Sequence, residues 1–297
     1  MQGLLIINKP AGLTSFGVVA RIKRLAGTKR VGHTGTLDPM ATGVLPIFIG
    51  KATALSSFLL EADKGYTATF LFGTVTDTDD ITGSVLSKTE PNITEQQIID
   101  AFKGFVGTIE QVPPTYSAIK KQGVPMYKLA RQGKEVKIEP RQVTIHSITP
   151  VTNYCNNEIT VDIVCSKGTY IRSLCRDLGQ KLGVGATLKD LRRNFTSGFS
   201  LEDSVDLENL TPENIEKNLL SEEKAVEYLT KVTVTEKQAK RFCNGGALDI
   251  SRLKFTPNTN GQMVRVCFDN MLLGIGVVNL ENNEIKIKCV TGSDYIG

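Results

Sequence analysis

The densest group of chemically capable residues lies in the stretch GHTGTLDPMATGVL, residues 32–45. It combines glycines and a proline with His33 and Asp38, and apolar segments flank it. Glycine lets the backbone approach a ligand closely, and active sites concentrate in polar loops on rigid scaffolds. A carboxylate in such a loop can act as a base or a nucleophile. The alternative is a structural turn in which Asp38 caps the next element, and the residues alone leave both interpretations open.

Metal-ligand patterns are weak in this chain. Asp77, Asp79 and Asp80 lie in a Thr/Gly turn that suits a hard cation, but such carboxylates more often form the turn itself. Only two histidines are present, and the six cysteines contain no CxxC pair. We therefore expect no metal site, and we expect the cysteines to be small buried apolar residues without disulfides. These are residues 155, 165, 175, 243, 267 and 289.

Charge is unevenly distributed along the chain, although the formal net charge is only +4. Residues 1–60 hold seven basic residues and one acidic residue, whereas 201–230 hold nine acidic residues and two lysines. A basic segment suits a polyanionic partner such as nucleic acid, although ordinary solvated surface charge gives the same pattern. No apolar run approaches the roughly 20 residues that span a bilayer, and the N-terminus lacks signal-peptide features. We expect a cytoplasmic protein.

Local patterns predict the elements that must position the loop. Strands are expected at LLIIN near the N-terminus, at 44–49, at 64–74 and at 158–165. A helix is expected from an N-cap at Ser15 to Gly27, with Arg21 and Arg24 on its polar face and Lys29 and Arg30 just beyond it. Further helices are expected at 94–105 and, after the segment 166–172, running to about residue 182.

Composition divides the chain into three parts. Residues 111–146 are rich in proline and basic residues, which predicts a surface insertion. From about 231, short β-like runs alternate with Gly and Asn turns, which indicates a small β-rich C-terminal domain. The expected division is a domain at 1–230, carrying the insertion, and a second domain at 231–297.

Several sequence blocks resemble the TruB family of tRNA pseudouridine synthases, and they occur in family order. These are INKPAGLTS, GHTGTLDPMATGVLP, KGY, VPPTYSAIK, a KxxGxxxYxxARxG pattern ending at Gly133, and SKGTYIRSL. They cover about the first 200 residues. The tail, with Asn244-Gly245-Gly246 and GIGVV, more weakly resembles the small RNA-binding PUA domain. Guide-RNA-dependent relatives share the catalytic blocks, but the length of 297 and the lack of a lysine-rich tail favour the stand-alone bacterial type.

The resemblance implies an α+β fold: a mixed, mostly antiparallel sheet with flanking helices, followed by a small PUA-like domain. It also implies isomerisation of the T-loop uridine at position 55 of tRNA to pseudouridine, without ATP, metal or another cofactor. Asp38 matches the family's catalytic carboxylate, and Arg172 matches the arginine that keeps it ionised. Tyr66 matches the tyrosine that stacks on the target uracil.

Further residues match family positions that contact the substrate. Tyr170 and Leu191 match pocket residues, His33 matches the residue that fills the space of the flipped base, and Lys9 matches a lysine that fixes loop or phosphate. The basic residues Arg21, Arg24, Lys29 and Arg30 and those of 120–141 are expected to hold phosphates. The insertion resembles a segment that closes over the T-arm.

The expected partner is the T-arm stem-loop of tRNA, bound by a monomer. Three rival interpretations remain at this point: a non-catalytic RNA-binding or RNA-folding protein on the same scaffold, a guide-RNA-dependent relative, and a metal-dependent phosphoesterase built on the acidic turn.

Overall fold

The computed structural model describes residues 1–59, 62–116, 120–121, 124–125 and 138–292. The helices are α1 (Ser15–Leu25), α2 (Glu95–Lys103), α3 (Ile171–Lys181) and α4 (Glu236–Cys243). Short 3-10 helices cover Gly50–Leu59, Leu207–Asn209, Ile215–Asn218, Glu222–Val226 and Ile250–Arg252. The strands are β1 (Gly3–Lys9), β2 (Val31–His33), β3 (Thr42–Ile49), β4 (Lys64–Phe72), β5 (Thr74–Thr76), β6 (Val85–Lys88), β7 (Gly107–Gln111), β8 (Lys120–Lys121), β9 (Val124–Pro125), β10 (Arg141–Pro150), β11 (Glu158–Cys165), β12 (Ala186–Thr196), β13 (Phe199–Ser200), β14 (Val205–Asp206), β15 (Thr230–Thr233), β16 (Leu248–Asp249), β17 (Met263–Phe268), β18 (Met271–Asn279) and β19 (Glu284–Val290).

A large sheet organises the first part of the chain. Within the described ranges it has ten strands, in the order β14-β1-β3-β12-β4-β11-β10-β7, with β2 beside β3 and β13 beside β12. Its pairs are antiparallel except β1 with β14 and β3 with β12. The predicted mixed, mostly antiparallel sheet with flanking helices is therefore confirmed.

The central strands are buried on both faces, which explains why β1 reads as an unbroken apolar run rather than an alternating one. Alternate residues of a strand point to opposite faces. Leu5 and Ile7 accordingly join the core formed with α1, α2 and α3, while Leu4 and Ile6 join a second core on the other face. The loop between β2 and β3 carries Asp38. It is therefore joined to strands of a sheet that packs against a core on each face.

Helix α1 has its N-cap one residue earlier than the sequence predicts. Thr14, not Ser15, is the N-cap, and its hydroxyl accepts a hydrogen bond from the Gly17 amide at 2.9 Å. The prediction was wrong because the Ser15 hydroxyl is buried and takes a tertiary partner, Leu37. The helix ends where Gly27 adopts a φ of 60°, as expected of a glycine after a helix.

The predicted surface insertion at 111–146 is too long. Residues 141–146 belong to β10, which pairs with β7 on one side and β11 on the other. Gln111 closes β7 and is 1% exposed. A surface insertion is therefore limited to residues between these two strands. Residues 117–119 of VPPTYSAIK and most of the KxxGxxxYxxARxG pattern, with the basic residues between 126 and 137, lie outside the described residues.

A second sheet forms the C-terminal part, in the order β15-β17-β18-β19-β16. Its own core contains Val232, Phe242 and Ile285 among others. Its other face carries Leu272 and Ile275, which pack in the second core of the large sheet. Sheet membership changes at about residue 230, which supports our proposed division into domains 1–230 and 231–297.

The six cysteines are all free. Cys165, Cys175 and Cys267 are buried, as expected of small apolar residues, whereas Cys155 is exposed. None of the helices in the described ranges combines the length and the apolar character that crossing a membrane requires.

Candidate active site

A cavity of about 270 Å³ opens beside the loop that joins β2 to β3. One wall is this loop, from Gly35 to Asp38, and the opposite wall is the segment that runs from Lys167 into the first turn of α3. The floor comes from two neighbouring strands of the large sheet, β4 and β12. The cavity therefore lies where three distant parts of the chain meet on a rigid sheet. The side chains that complete its lining are Lys64, Tyr66, Leu191 and Arg193.

Asp38 and Arg172 form an ion pair at this cavity, although they lie 134 residues apart in the sequence. Arg172 Nη2 donates a hydrogen bond to Asp38 Oδ1 at 3.1 Å, and Arg172 Nε lies 2.9 Å from Oδ2 without hydrogen-bond alignment. A third of the Asp38 side chain remains exposed to the cavity, whereas only 5% of the Arg172 side chain is exposed. The sequence-based pairing of these two residues is thus reproduced, with the carboxylate facing the open space.

The environment of Asp38 makes its carboxylate more basic than usual. Burial raises the pKa of Asp38, because the loop and α3 enclose the group on most sides. The Arg172 guanidinium opposes this rise through its charge and its hydrogen bond, while Asp80 adds to it. A carboxylate held in this balance stays paired but is a better proton acceptor or nucleophile than a solvated one.

Asp80 is a functional-site residue that sequence reasoning did not assign to the cavity. It is 4% exposed, and its Oδ2 lies 3.5 Å from Arg172 Nη1. The hydroxyl and amide of Thr82 donate to its Oδ1 at 2.5 and 3.0 Å. Arg172 also donates a hydrogen bond to the Thr78 carbonyl at 3.0 Å. The acidic turn therefore helps to orient the Arg172 guanidinium that pairs with Asp38.

The acidic turn therefore binds the arginine side chains of α3. Asp79 pairs with Arg176 at 2.9 Å, one helical turn after Arg172, and Asp77 accepts a hydrogen bond from the Ser84 amide. The three carboxylates take separate partners, and the part of the chain that the structure describes contains no group of three metal-ligating side chains. Two arginines four residues apart, matched by two adjacent aspartates, were the sequence signal that could have indicated this arrangement.

Tyr66 and Leu191 form the apolar side of the cavity. Both are largely buried, at 7% and 6% exposure, and both lie on the floor strands. Burial raises the pKa of the Tyr66 phenol, and the nearby Arg193 guanidinium opposes the rise. Tyr66 is therefore a neutral phenol near neutral pH and presents an aromatic ring next to the carboxylate.

Arg193 is the second residue that sequence reasoning missed. It pairs with Tyr66 across β12 and β4 and is 1% exposed. Its guanidinium donates to the carbonyls of Val44 at 2.7 Å and Gly35 at 2.9 Å, which lie on either side of Asp38. It thus ties both ends of the loop to the floor. Strand β12 reads ATLKDLRRNFT and holds several other charged residues, so its pattern did not single out Arg193.

Lys9 supports the loop from below. It is 0% exposed, and its ammonium donates to the carbonyls of Pro10, Pro39 and Ala41 at 2.8, 3.2 and 2.6 Å. Burial lowers the pKa of Lys9 to about 8, against the opposing charge of Asp38. Lys9 does not line the cavity, so of the two roles expected for it, the geometry favours fixing the loop.

The remaining predicted residues lie on the cavity wall or outside the cavity. Tyr170 lines the cavity. Its backbone amide donates a hydrogen bond to the Gln111 side chain, and its carbonyl accepts one from the same side chain. His33 does not line the cavity; its ring packs edge-to-face on Phe16 with the centroids 5.4 Å apart. The predicted RNA-backbone residues lie on the surface around α1: Arg21 is half-buried, and Arg24, Lys29 and Arg30 are exposed.

Two family models match this chain in succession. Residues 23–171 match the model of the TruB family pseudouridylate synthase N-terminal domain, and residues 172–233 match that of the tRNA pseudouridylate synthase B C-terminal domain. A protein of Clostridium perfringens (strain 13 / Type A) named tRNA pseudouridine synthase B is 46% identical over 278 residues, covering 93% of this chain and 95% of that protein. One of the same name from Clostridium novyi (strain NT) is 42% identical, covering 96% of this chain and 99% of its own.

Solved structures with the same fold include chains of two multi-component complexes. A chain of a Cbf5-Nop10-Gar1 complex superposes with a TM-score of 0.76 at 27% identity, covering 99% of this chain and 86% of that one. A chain of an H/ACA RNP bound to a substrate RNA containing 2'-deoxyuridine gives a TM-score of 0.73 at 26% identity. The match covers 97% of this chain and 84% of that one.

Proposed function

Because this chain belongs to the TruB family of pseudouridylate synthases, we propose that it converts the T-loop uridine at position 55 of tRNA into pseudouridine. The observation that carries the proposal is the Asp38 carboxylate, paired with Arg172 and facing a cavity floored by an aromatic ring. The reaction breaks the N1–C1′ bond, turns the uracil over and joins C5 to C1′. No group leaves and nothing is oxidised, so the proposal requires no ATP, metal or cofactor.

Each catalytic residue has a role that its surroundings support. Asp38 acts at the ribose, either by attacking C1′ or by removing the C2′ proton, and its raised pKa favours both. Arg172 holds the carboxylate ionised and in place. Tyr66 stacks on the uracil and orients it, because a buried phenol with a raised pKa is a poor free base. Leu191 packs against the same base from the cavity floor.

The substrate must leave its stack to reach Asp38, which costs a few kcal/mol in a folded loop. Tyr170, at the cavity wall, contacts the extruded nucleotide, and His33, at the rim, occupies the space that it vacates. The cations around α1 hold phosphates without reading sequence. These residues are Arg21, Arg24, Lys29 and Arg30. The partner is the T-arm stem-loop, bound by a cytoplasmic monomer, and the C-terminal domain at 231–297 is a PUA-like RNA-binding module.

The decisive variant is Asp38→Asn, which is nearly isosteric and removes the charge. We expect it to form no pseudouridine while retaining affinity for tRNA, because the change leaves the phosphate contacts intact. Mass spectrometry of one unmodified tRNA after chemical tagging of pseudouridine reports product and position together. Sustained turnover by Asp38→Asn would falsify the assignment. Tight RNA binding by the unmodified chain without any product would instead support a non-catalytic RNA-binding function.

A second candidate is a guide-RNA-dependent synthase, since the Cbf5 assemblies share the fold. The curated relatives named tRNA pseudouridine synthase B are considerably more similar, at 40–46% identity, and they favour a stand-alone enzyme. Purified protein with a bare T-arm hairpin separates the two: activity supports the proposal, and activity only with accessory proteins supports the guide-dependent type. An EDTA-sensitive reaction would favour the metal-dependent phosphoesterase.

A further inference from the structure

Phe16 is a large apolar residue whose side chain is mostly exposed to solvent. It exposes 74% of its surface, more than any other large apolar side chain in the described residues. It occupies the first turn of α1, whose buried face is made by Val18, Val19 and Ile22. Phe16 therefore contributes little to the core, and its presence on this face is not explained by folding.

The position of Phe16 relative to the catalytic loop is fixed by the residue before it. The Ser15 hydroxyl accepts a hydrogen bond from the Leu37 amide at 2.9 Å and donates one to the Leu37 carbonyl at 3.1 Å. Leu37 directly precedes Asp38, so the start of α1 is tied to the cavity rim. On its other side the Phe16 ring meets the His33 ring at an interplanar angle of 86°. The two rings form an aromatic ledge beside the cavity.

The same face of α1 continues into a basic patch. Ala20, Lys23 and Arg24 follow Phe16 at i+4, i+7 and i+8, and all are exposed. At 1.5 Å per residue, the two cations lie about 10–12 Å along the helix from Phe16. Ala20 leaves the space between them free of a long side chain. An exposed aromatic ring next to a row of cations is a combination that proteins use to bind single-stranded nucleic acid.

We propose that Phe16 is a stacking platform for an unpaired base of the RNA, next to the uridine that enters the cavity. Lys23 and Arg24 contact the phosphates that follow this base along α1. The inference rests on the proposed RNA substrate and adds a base-binding site to it. It assigns no chemistry to Phe16, which acts by binding alone.

The electrostatics of the ledge favour stacking over ion pairing. Burial lowers the pKa of His33, and the nearby Arg193 lowers it further, so the imidazole is neutral near neutral pH. The ledge is thus an uncharged aromatic surface between the charged cavity and the basic patch. Such a surface suits the face of a nucleobase, while a phosphate is better held by the cations on either side.

Phe16→Trp tests the contact directly, because the protein has no tryptophan and the variant carries a single indole fluorophore. We expect T-arm hairpin RNA to quench its fluorescence strongly. The matched control is Val151→Trp, a 55% exposed position beyond the end of β10 that does not line the cavity. Equal quenching at both positions, or none at position 16, contradicts the proposal.

Affinity measurements separate stacking from general apolar contact. Phe16→Ala and Phe16→Leu should weaken hairpin binding roughly fivefold to a hundredfold, the range expected for loss of one base–aromatic stack. Phe16→Tyr should bind like the unmodified chain. The slope of log Kd against log salt should stay unchanged in the Phe16 variants and fall in Lys23→Gln/Arg24→Gln, because only the latter removes phosphate contacts. Native affinity in Phe16→Ala, or in Phe16→Leu, overturns the inference.

These outcomes are independent of the catalytic proposal. Pseudouridine formation by the unmodified chain is measured separately on the same hairpin. If product forms but Phe16→Ala binds normally, only the stacking site fails. If no product forms but Phe16→Trp is quenched and Phe16→Ala binds weakly, the catalytic assignment fails and the base-binding site stands. The melting temperature of each Phe16 variant should match that of the unmodified chain, since the side chain lies outside the core.

Discussion

Single residues hold the catalytic loop in place from three directions. Arg172 contacts the carboxylate, Arg193 contacts the carbonyls at the loop ends, and Lys9 contacts the carbonyls beneath it. All three are basic residues with little or no exposure. Burying their charges is unfavourable, and hydrogen bonds to acceptors held in fixed positions offset this cost. The protein itself therefore holds the loop in one arrangement, as the preorganisation of an active-site carboxylate requires.

Lys9→Met tests this at the residue scale. We expect a loss of about 1–3 kcal/mol in the free energy of unfolding at pH 7, because three carbonyls lose their donor. The folded-state pKa of about 8 lies below the ordinary 10.5, so the unfolded chain binds more protons between these values. Linkage then requires the unmodified chain to gain stability relative to Lys9→Met as pH rises from 8 to 10.5, by at most about 3 kcal/mol.

Urea unfolding of both chains across this pH range gives the comparison. A stability difference that stays constant from pH 8 to 10.5 would mean that Lys9 titrates normally in the folded state and is not enclosed by the loop. Because the difference between the two chains is used, the titration of exposed lysines cancels.

At the scale of elements, the decisive contact is the parallel pairing of β3 with β12. It brings Gly43 next to Arg193, and it places Arg193 beneath the loop that precedes β3. Gly43 has a φ of 99°, and a Cβ on it would lie 2.2 Å from the Arg193 carbonyl oxygen. The approach of these strands therefore requires glycine, both for the dihedral and for the space.

Gly43→Ala should consequently be severely destabilising, and it should also reduce turnover. The matched control is Gly12→Ala, where φ is +83° but nothing lies within 4 Å of the added Cβ. Both variants carry the strain of a positive φ, so their difference isolates the clash between strands. We expect Gly43→Ala to cost at least about 2 kcal/mol more than Gly12→Ala in urea unfolding. If both variants lose the same free energy of unfolding, β12 can shift away from the added Cβ without destabilising the protein.

At the scale of the whole molecule, the C-terminal sheet is part of the large sheet's packing. Leu272 and Ile275 join Leu4, Val44 and Phe48 in one buried cluster, on the face of the large sheet opposite α1 to α3. The C-terminal sheet thus packs against the large sheet that carries the cavity, but none of the residues described in the C-terminal sheet lines the cavity. This coupling gives the C-terminal part a role in holding the active site as well as any contact with RNA.

Ile275→Ala and Ile285→Ala form a matched pair, since both residues are 0% exposed but Ile285 belongs to the C-terminal sheet's own core. Each should cost about 2–5 kcal/mol. Because the shared cluster couples the sheets, we expect one calorimetric transition in the unmodified chain and in both variants. Two transitions, with Ile285→Ala lowering only one of them, would mean that the sheets unfold independently.

The sequence by itself determined the features that obey local rules. Strand alternation and helix periodicity located most elements, and the glycine-rich loop with Asp38 stood out as the densest group of chemically capable residues, although its residue types alone also fitted a structural turn. The Ser15 cap and the insertion boundary were misplaced for the same reason: the Ser15 hydroxyl binds Leu37, and residues 141–146 pair with β7 and β11, so both depend on non-local partners.

Apart from the pair of Asp38 and Arg172, only the tertiary structure decided which charges meet. The family resemblance alone paired Asp38 with Arg172 at the level of sequence, since neither spacing nor periodicity joins residues 134 positions apart. Asp80 and Arg193 were not assigned to the cavity at all, because a turn aspartate and a strand arginine look like ordinary polar residues until the sheet brings them behind Arg172 and beneath Gly35. Local propensity acts over a few residues, whereas burial of a charge depends on everything that packs around it.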